Sequence, residues 1–490
     1  MLSLHAAANL LTAAATLEHL VPLARAVGCT GSPLPLGAEA RAALGVTGTR
    51  DARIVAGPGS LRALLLEWPA GASLRERIGA AVPRLTARAP HLFWLVIAGE
   101  RGGSALTLAT WTPDRARPRI AALTVDRRRI VPSDAETLCA LAAATDGDDV
   151  MTHTRWVEVL GRDALTRRFY RTLEGVVTGL AEGAATRAGA ADRREIALLW
   201  LSRLLFLSFL ETKGWLDGDR RFLARQFEAC AGRPGGAHQR FLLPLFFGTL
   251  NTPVHRRAAV ARAFGTVPFL NGGLFARSPI ERRHTALHFP DDALGRVFDD
   301  LLSRYRFTAR EGDLTWSDAA VDPELLGKAF ESLMASRDRR DSGTYYTPHA
   351  LVSRVTRAAL VEALALPGLG DGDLAAILDG APVDFTTGCV LRQRALDLTI
   401  LDPACGSGAF LVHALEELTR LLIRCQDARG SVAIRRALLT RSIFGVDINP
   451  TAVWLCELRL WLAVVIEHDE TDPMRIQLLL DDFNQLGCHV

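Results

Sequence analysis

The sequence predicts an α/β fold in the C-terminal third of the chain, preceded by a mainly helical segment and a small α+β module. Short β-rich segments separated by turn residues occur before residue 150. Helical periodicity dominates residues 151–340, and strand patterns alternate with helical ones from about residue 341. At 490 residues the chain is too long for one hydrophobic core. We therefore expect three domains, over residues 1–150, 151–340 and 341–490.

The composition is that of an ordinary globular protein, with 49% hydrophobic and 23% charged residues. A net charge of +3 gives no global argument for nucleic-acid binding. The local basic clusters at 127–129 and 337–340 are read most simply as solvated loops, although the second could contact DNA phosphate. The eight cysteines form no C-x-x-C pair, which disfavours a zinc ribbon or a secreted disulfide framework. We expect a cytoplasmic protein with no membrane partner, since no apolar stretch is long enough to span a bilayer.

Three segments of the N-terminal module predict strands, because they are β-rich and separated by Gly, Pro or charged turns. They are residues 92–98, 105–110 and 119–125. In the helical segment, residues 196–210 are apolar almost all round and predict a buried central helix. A nuclease of the common type needs E-x-K on a strand to hold Mg²⁺. The only such triplet, Glu211 to Lys213, falls in the helical stretch, so we do not expect an active nuclease.

The segment Asp402-Pro-Ala-Cys-Gly-Ser-Gly-Ala-Phe410 is the most informative one, and it follows a short buried-strand pattern at 398–401. Gly406 and Gly408 would let the backbone turn sharply and approach a ligand. Leucines at 411, 415, 418 and 422 predict that a helix follows. The free amides at the start of that helix favour an anionic group, such as a carboxylate.

Two other interpretations of this turn are open, a purely structural turn and a dinucleotide site. The dinucleotide fingerprint needs a third glycine where Leu411 stands. Asp402 would also place a negative charge near a pyrophosphate. A ligand with an ammonium or sulfonium centre tolerates that carboxylate better.

The segment 442–447 predicts the next strand, which ends at a carboxylate. Asp447 can accept hydrogen bonds from both hydroxyls of a ribose, although a purely structural strand-end carboxylate is an equally open interpretation. Asn449 is a good helix N-cap, and Pro450 suits the first helical position. The segment between Leu411 and residue 440 is long enough for two helices.

Upstream, Gly343-Thr-Tyr-Tyr-Thr-Pro348 predicts the start of another helix, with Thr347 as N-cap and Pro348 in the first turn. Tyr345 and Tyr346 would either line a ligand or simply pack. The helix is expected to turn four apolar residues inward, namely Leu351, Val352, Val355 and Ala359.

In this order, G-T-Y-Y-T-P, D-P-A-C-G-S-G-A-F and V-D-I-N-P resemble motifs X, I and II of the gamma class of adenine-N6 DNA methyltransferases. The likeness is greatest to the large methyltransferase polypeptides of restriction-modification and phage-defence systems, and it extends over roughly residues 160–490. The resemblance implies part of a Rossmann-like sheet that binds S-adenosylmethionine, with double-stranded DNA as partner. The cofactor-binding residues that it implies are Tyr346, Thr347, Asp402, Ala404, Cys405, Gly406, Gly408, Asp447 and Ile448.

The family's Asn/Asp-Pro-Pro-aromatic tetrapeptide, which grips the flipped adenine, is absent from the 490 residues. We therefore expect a methyltransferase truncated before that motif, with no catalytic residue or metal ligand of its own and inactive alone. A C-terminal methyltransferase and target-recognition chain, or a nuclease subunit, would be its protein partner. The main alternative is a non-catalytic scaffold or DNA-binding subunit. Methylation of RNA or protein is disfavoured, because this order of segments is typical of the DNA enzymes.

Overall fold

The computed structural model describes residues 2–46, 48–49, 51–71, 73–112, 118–270, 275–308, 316–338 and 347–465. Its contacts divide the chain into two compact units. Unit 1 comprises Met1–Thr172, Asp299–Phe307 and Gly312–Val321, and unit 2 comprises Leu173–Phe298, Thr308–Glu311 and Asp322–Val490. The three-domain division expected from the sequence stays a prediction.

Unit 1 is built on a mixed sheet covered by helices. The strands are β1 Leu34–Pro35, β2 Asp51–Ala56, β3 Leu61–Pro69, β4 Phe93–Arg101, β5 Ala105–Trp111, β6 Ile120–Asp126 and β7 Trp316–Asp318. The helices are α1 Leu4–Ala13, α2 Leu17–Ala26, α3 Ala38–Ala43, α4 Leu74–Arg88, α5 Pro132–Ala143, α6 Asp149–Leu160 and α7 Arg162–Gly183, the last of which continues into unit 2. The strands expected at 92–98, 105–110 and 119–125 are confirmed as β4, β5 and β6.

The order in this sheet is β1 to β7, with the β3–β4 and β6–β7 pairs parallel and the other pairs antiparallel. The side chains of successive residues of β3 pack into two different hydrophobic cores. Leu65 packs into the core that includes residues of α1 and α2, whereas Leu64 and Leu66 pack into the core that includes residues of α4. Both faces of the strand are therefore buried, which explains its nearly continuous apolar sequence.

In its described residues, unit 2 is mainly helical and contains two short strands. Its helices after α7 are α8 Ala190–Lys213, α9 Phe222–Cys230, α10 Ala259–Arg262, α11 Pro279–Arg283, α12 Asp291–Val297, α13 Pro323–Asp338, α14 His349–Leu364, α15 Asp371–Asp379, α16 Phe385–Asp397, α17 Ala409–Arg424, α18 Ser431–Arg441 and α19 Pro450–Val465. The strands are β8 Ile400–Asp402 and β9 Ile443–Gly445, and π-helical turns occupy His238–Leu242, Pro244–Leu250 and Phe298–Leu302. The mixed α/β class predicted from the sequence is confirmed.

The central helix α8 is buried along residues 196–211, as its apolar sequence predicts. It ends at Gly214, whose φ of 76° suits a left-handed C-cap. The single E-x-K triplet, Glu211 to Lys213, lies at the end of this helix and not on a strand. The buried Glu211 carboxylate accepts a hydrogen bond of 2.8 Å from the amide of Leu223. Within the described ranges, the helices all lack the length or the apolar character that a membrane span requires.

The helix that begins the C-terminal part differs from its prediction in two respects. The N-cap of α14 is Pro348 and not Thr347, so the helix starts one residue later. Its buried face is formed by Val352, Ser353, Thr356 and Leu360, whereas the expected inward positions Leu351, Val355 and Ala359 are exposed. Two small hydroxyl residues, Ser353 and Thr356, complete the inward face of α14. The pattern of apolar residues alone therefore predicted the wrong face.

Candidate functional site

Two loops lie side by side at the carboxyl ends of β8 and β9. These strands pair in parallel, with Asp402 opposite Gly445. The Val446 amide donates to the Asp402 carbonyl at 2.9 Å, and the Cys405 amide donates to the Val446 carbonyl at 3.0 Å. The strand pairing thus continues into two loops, which are residues 402–408, beginning at the last residue of β8, and residues 446–449. In open α/β sheets, ligands bind at this edge.

Backbone conformation and close packing explain why two positions of the first loop are glycine. Gly406 and Gly408 adopt φ values of 52° and 82°, and the Gly408 amide donates to the Cys405 carbonyl at 2.8 Å. A Cβ on Gly408 would lie 2.5 Å from Sγ of Cys456, a residue of α19. The turn therefore brings the start of α17 directly against α19, and a larger residue would separate them.

The carboxylate of Asp447 joins the two loops. Its Oδ2 accepts a hydrogen bond of 2.9 Å from the Gly406 amide, and its Oδ1 accepts one of 2.8 Å from the Asn449 amide. A carboxylate has about four lone-pair positions, so this one can still accept hydrogen bonds from a ligand. The predicted helix start is confirmed, because α19 begins at Pro450 and Val453 donates to the Asn449 carbonyl at 3.1 Å.

Only one of the two carboxylate oxygens of Asp402 has a hydrogen-bond partner among the described residues. Its Oδ1 accepts a hydrogen bond of 3.1 Å from the Ala404 amide, while its buried Oδ2 has no hydrogen-bond partner among the described residues. Burial raises the pKa of Asp402, the Ala404 amide lowers it, and the charge of Asp447 raises it. An uncompensated carboxylate oxygen at this edge is suited to a cationic group of a ligand.

Apolar and thiol side chains complete the loops. Ile448 is 82% exposed beside Asp447, an unusual position for a large aliphatic side chain. Cys405 is buried, and the thiol of Cys456 donates a hydrogen bond that lowers the pKa of Cys405 against the effect of burial. The two thiols thus link the first loop to α19, and Ile448 leaves an apolar surface exposed beside Asp447.

Most of the predicted cofactor-binding residues lie on these two adjacent loops, namely Asp402, Ala404, Cys405, Gly406, Gly408, Asp447 and Ile448. Thr347 lies just before α14, whose Leu360 and Leu364 share a core with Leu411 and Leu415 of α17. Tyr346 and its neighbour Tyr345 lie outside the described residues. The roles of all these residues in cofactor binding stay predictions.

Arg459 of α19 contacts the first loop and was not among the predicted site residues. This buried guanidinium donates from Nη1 to the carbonyl of Ser407 at 3.0 Å and approaches Oγ of Ser407 at 3.4 Å. The signal was present, because Arg459 is a charged residue within the apolar run of α19. A charge in such a run must find buried hydrogen-bond partners.

Residues 388–481 match the family model described as MmeI, DNA-methyltransferase domain. Over 315 residues the chain is 28% identical to a putative type II restriction enzyme and methyltransferase of Methanocaldococcus jannaschii. This alignment covers 59% of this chain and 26% of that protein. The chain is 24% identical over 286 residues to DNA methyltransferase A of Bacillus subtilis, covering 56% of this chain and 28% of that protein. The chain therefore spans only about a quarter of the length of these relatives.

A shorter match, 37% identical over 84 residues, is to the adenine-specific methyltransferase PglX of Streptomyces coelicolor, and it covers 17% of this chain and 7% of that protein. Among solved structures, the type IIL restriction-modification enzyme MmeI in complex with DNA aligns with a TM-score of 0.41 at 20% identity, covering 67% of this chain and 38% of that one. In sequence, the chain is similar to DNA methyltransferases of the restriction-modification type.

Proposed function

We propose that this chain forms the cofactor-binding part of a DNA methyltransferase of a restriction-modification or defence system, and that it binds S-adenosylmethionine on the loops 402–408 and 446–449. The observation that carries the proposal is the contact between Gly406 and Asp447. It holds a glycine-rich turn and an acidic strand end together at the ligand-binding edge of a parallel strand pair. The sequence relatives support the same class of activity.

The residues present fit this cofactor in three ways. The buried Oδ2 of Asp402, which has no hydrogen-bond partner among the described residues, suits the cationic methionine end. Asp447 retains acceptor capacity for the ribose hydroxyls, and the exposed Ile448 offers an apolar contact for the adenine ring. When bound, the cofactor would supply an electrophilic methyl group. The chain's own contribution is to bind and orient it.

Adenine N6 is the acceptor that we propose. The order of the three cofactor segments is typical of the adenine enzymes, and one of the relatives is described as adenine-specific. Methyl transfer needs the acceptor nitrogen held in line with the methyl group, and a base inside a duplex must leave the stack to be reached.

Calorimetric titration of the full chain tests the cofactor assignment. We expect saturable one-to-one binding of S-adenosylhomocysteine, and no comparable binding of NAD⁺, because Asp402 disfavours a pyrophosphate. Asp427→Asn should bind S-adenosylhomocysteine as the wild type does, since this carboxylate pairs with Arg429 on a loop after α17 and not with the two proposed loops. Preference for NAD⁺, or no binding by a folded chain, would refute the assignment.

A methyl-transfer assay tests the acceptor. We expect residues 1–490 alone to bind the cofactor without incorporating tritiated methyl groups into mixed-sequence duplex DNA, because they contain no tetrapeptide to hold the flipped base. Addition of a polypeptide carrying that motif from a related system should restore incorporation into adenine. Robust incorporation by residues 1–490 alone would contradict the assignment of the base-gripping role to that tetrapeptide.

A further inference from the structure

The turn at residues 405–408 is held from the side of α19 by a buried charge. Arg459 is only 5% exposed, and its Nη1 donates to the Ser407 carbonyl at 3.0 Å. A buried guanidinium is costly unless its donors are satisfied, and a hydrogen bond from a charged donor is stronger than a neutral one. The contact therefore holds this carbonyl more firmly than an ordinary backbone bond would.

The peptide between Ser407 and Gly408 is consequently fixed at both polar groups. Its carbonyl accepts from Arg459, and its N–H donates to the Cys405 carbonyl at 2.8 Å. Rotation of this peptide would break both hydrogen bonds. It would also move Gly408, the N-cap of α17, at the helix end that favours an anionic group.

A third element packs against the same contact. Gly327 of α13 lies so near that an added Cβ would come 3.3 Å from Oγ of Ser407 and 3.4 Å from Cδ of Arg459. These separations are at the tight end of ordinary carbon contacts. The absence of a side chain at Gly327 thus lets α13 close over Ser407 and Arg459 from behind.

We propose that Arg459 is a positioning residue for the cofactor, which holds the 405–408 turn in the conformation that receives S-adenosylmethionine, with α13 supporting it at Gly327. This inference rests on the proposed function. The proposed role is indirect, since Arg459 would act through its hydrogen bond to the Ser407 carbonyl. Its replacement should weaken binding even where the chain remains folded.

The test compares Arg459→Met and Arg459→Lys with Arg435→Met in the full chain. Arg435 is a matched control, because it is a similarly buried arginine of α18 that pairs with Glu416 and not with the turn. By calorimetry with S-adenosylhomocysteine, Arg459→Met should raise Kd about tenfold, the change expected when about a tenth of the free molecules hold the turn in its binding conformation. Arg459→Lys should recover part of this loss, and Arg435→Met should leave Kd unchanged at the same folded fraction.

Hydrogen exchange of the ligand-free chain separates this inference from the proposed function. Peptides covering 405–412 should exchange faster in Arg459→Met than in Arg435→Met when the two lose similar thermal stability. Equal Kd values for Arg459→Met and the wild type, or equal exchange in the two variants, would overturn the positioning role. If the wild type binds no S-adenosylhomocysteine, the proposed function fails and the cofactor part of this inference fails with it, whatever the exchange shows about the turn.

Discussion

Two carboxylates at the ends of neighbouring strands have different surroundings. Asp447 accepts a backbone hydrogen bond on each oxygen, whereas Asp402 leaves one buried oxygen without a partner among the described residues. The first residue therefore shapes the site even before a ligand arrives. The second carries an electrostatic cost that a cationic ligand would relieve. Substitutions at the two positions should differ accordingly.

For Asp402→Asn we expect weaker cofactor binding together with unchanged or higher thermal stability. Burial and the charge of Asp447 raise the pKa of Asp402, so folding favours its protonated form, and its contribution to stability is lost as the pH rises through the raised pKa. A neutral amide removes that penalty at neutral pH, and Tm should rise by about 1–3 °C. Thermal melts and calorimetry check this. A large loss of Tm with intact affinity would indicate a structural carboxylate.

The same shift predicts a pH dependence of binding. As the pH falls from neutral through the raised pKa of Asp402, the carboxyl gains a proton and loses its attraction for a cationic ligand. Affinity for S-adenosylhomocysteine, whose ammonium group keeps its charge over this range, should therefore fall in acid. In Asp402→Asn this dependence should be flattened. An identical pH profile for the variant and the wild type would contradict the role of Asp402.

At Asp447 a substitution should affect both binding and loop order. Asp447→Ala removes two backbone hydrogen bonds as well as the ligand acceptors, and it should weaken binding by about 1.5–3 kcal/mol, the range for charge-assisted hydrogen bonds. Asp447→Asn keeps one acceptor oxygen and should be less severe. Calorimetry on both variants measures the difference. Wild-type affinity in Asp447→Ala would exclude a direct contact with the ligand.

At the level of elements, the packing of α17 against α19 depends on the absence of a side chain at Gly408. The start of α17 lies so close to Cys456 that a Cβ could not be accommodated without movement. Gly408 also has a positive φ of 82°. The loop conformation and the packing of the two helices are therefore coupled at a single residue.

Gly408→Ala should destabilise the chain by about 1–3 kcal/mol, through backbone strain and overpacking together. Cys456→Ala in the same chain should recover only part of this loss, since it removes Sγ but neither the strain nor the Cβ of residue 456. Gly430→Ala is the control, because its φ is −67° and nothing lies within 4 Å of an added Cβ. Urea unfolding of the single and double variants measures the coupling. Additive losses would show that the thiol contact is unimportant.

Local sequence signals predicted much of this architecture. The glycine-rich turn, the start of α19 at Asn449–Pro450 and the buried α8 depend on neighbouring residues, and these are confirmed. Strand β3 was not predicted, because its leucine-rich run is buried on both faces and matches a buried helix segment as well as a strand. The Arg459 contact joins residues 52 apart, and no periodicity within one helix shows which carbonyl a buried guanidinium will find.

On the scale of the whole molecule, unit 1 is discontinuous in sequence. Residues 299–307 and β7 join a unit whose other residues end at Thr172. One contact that holds the returning segment is between Arg306 and the fully buried Asp134, with Arg306 Nε donating to Oδ1 at 3.0 Å and Nη2 donating to Oδ2. A buried carboxylate that loses its partner is strongly destabilising.

Arg306→Met should therefore lower the free energy of unfolding of unit 1 by about 3–5 kcal/mol. Arg304→Met is the matched control, since Arg304 is 42% exposed in its pair with Glu136 and should cost less than about 1 kcal/mol. Asp134→Asn combined with Arg306→Met should restore part of the stability, because no charge then stays buried alone. Urea unfolding followed by tryptophan fluorescence measures these differences, and equal losses for the two arginine variants would contradict the importance of the Asp134 pair.

The return of β7 to the sheet also has a consequence during synthesis on the ribosome. About 190 residues separate the end of β6 from Trp316, its parallel partner. At a translation rate of about 5–20 residues per second, the edge of β6 would wait roughly 10–40 s for that partner. An unpaired strand edge readily pairs with another chain, so nascent molecules on one messenger are exposed to such association during this interval. Chaperone demand should therefore be greatest while residues 127–315 are being translated.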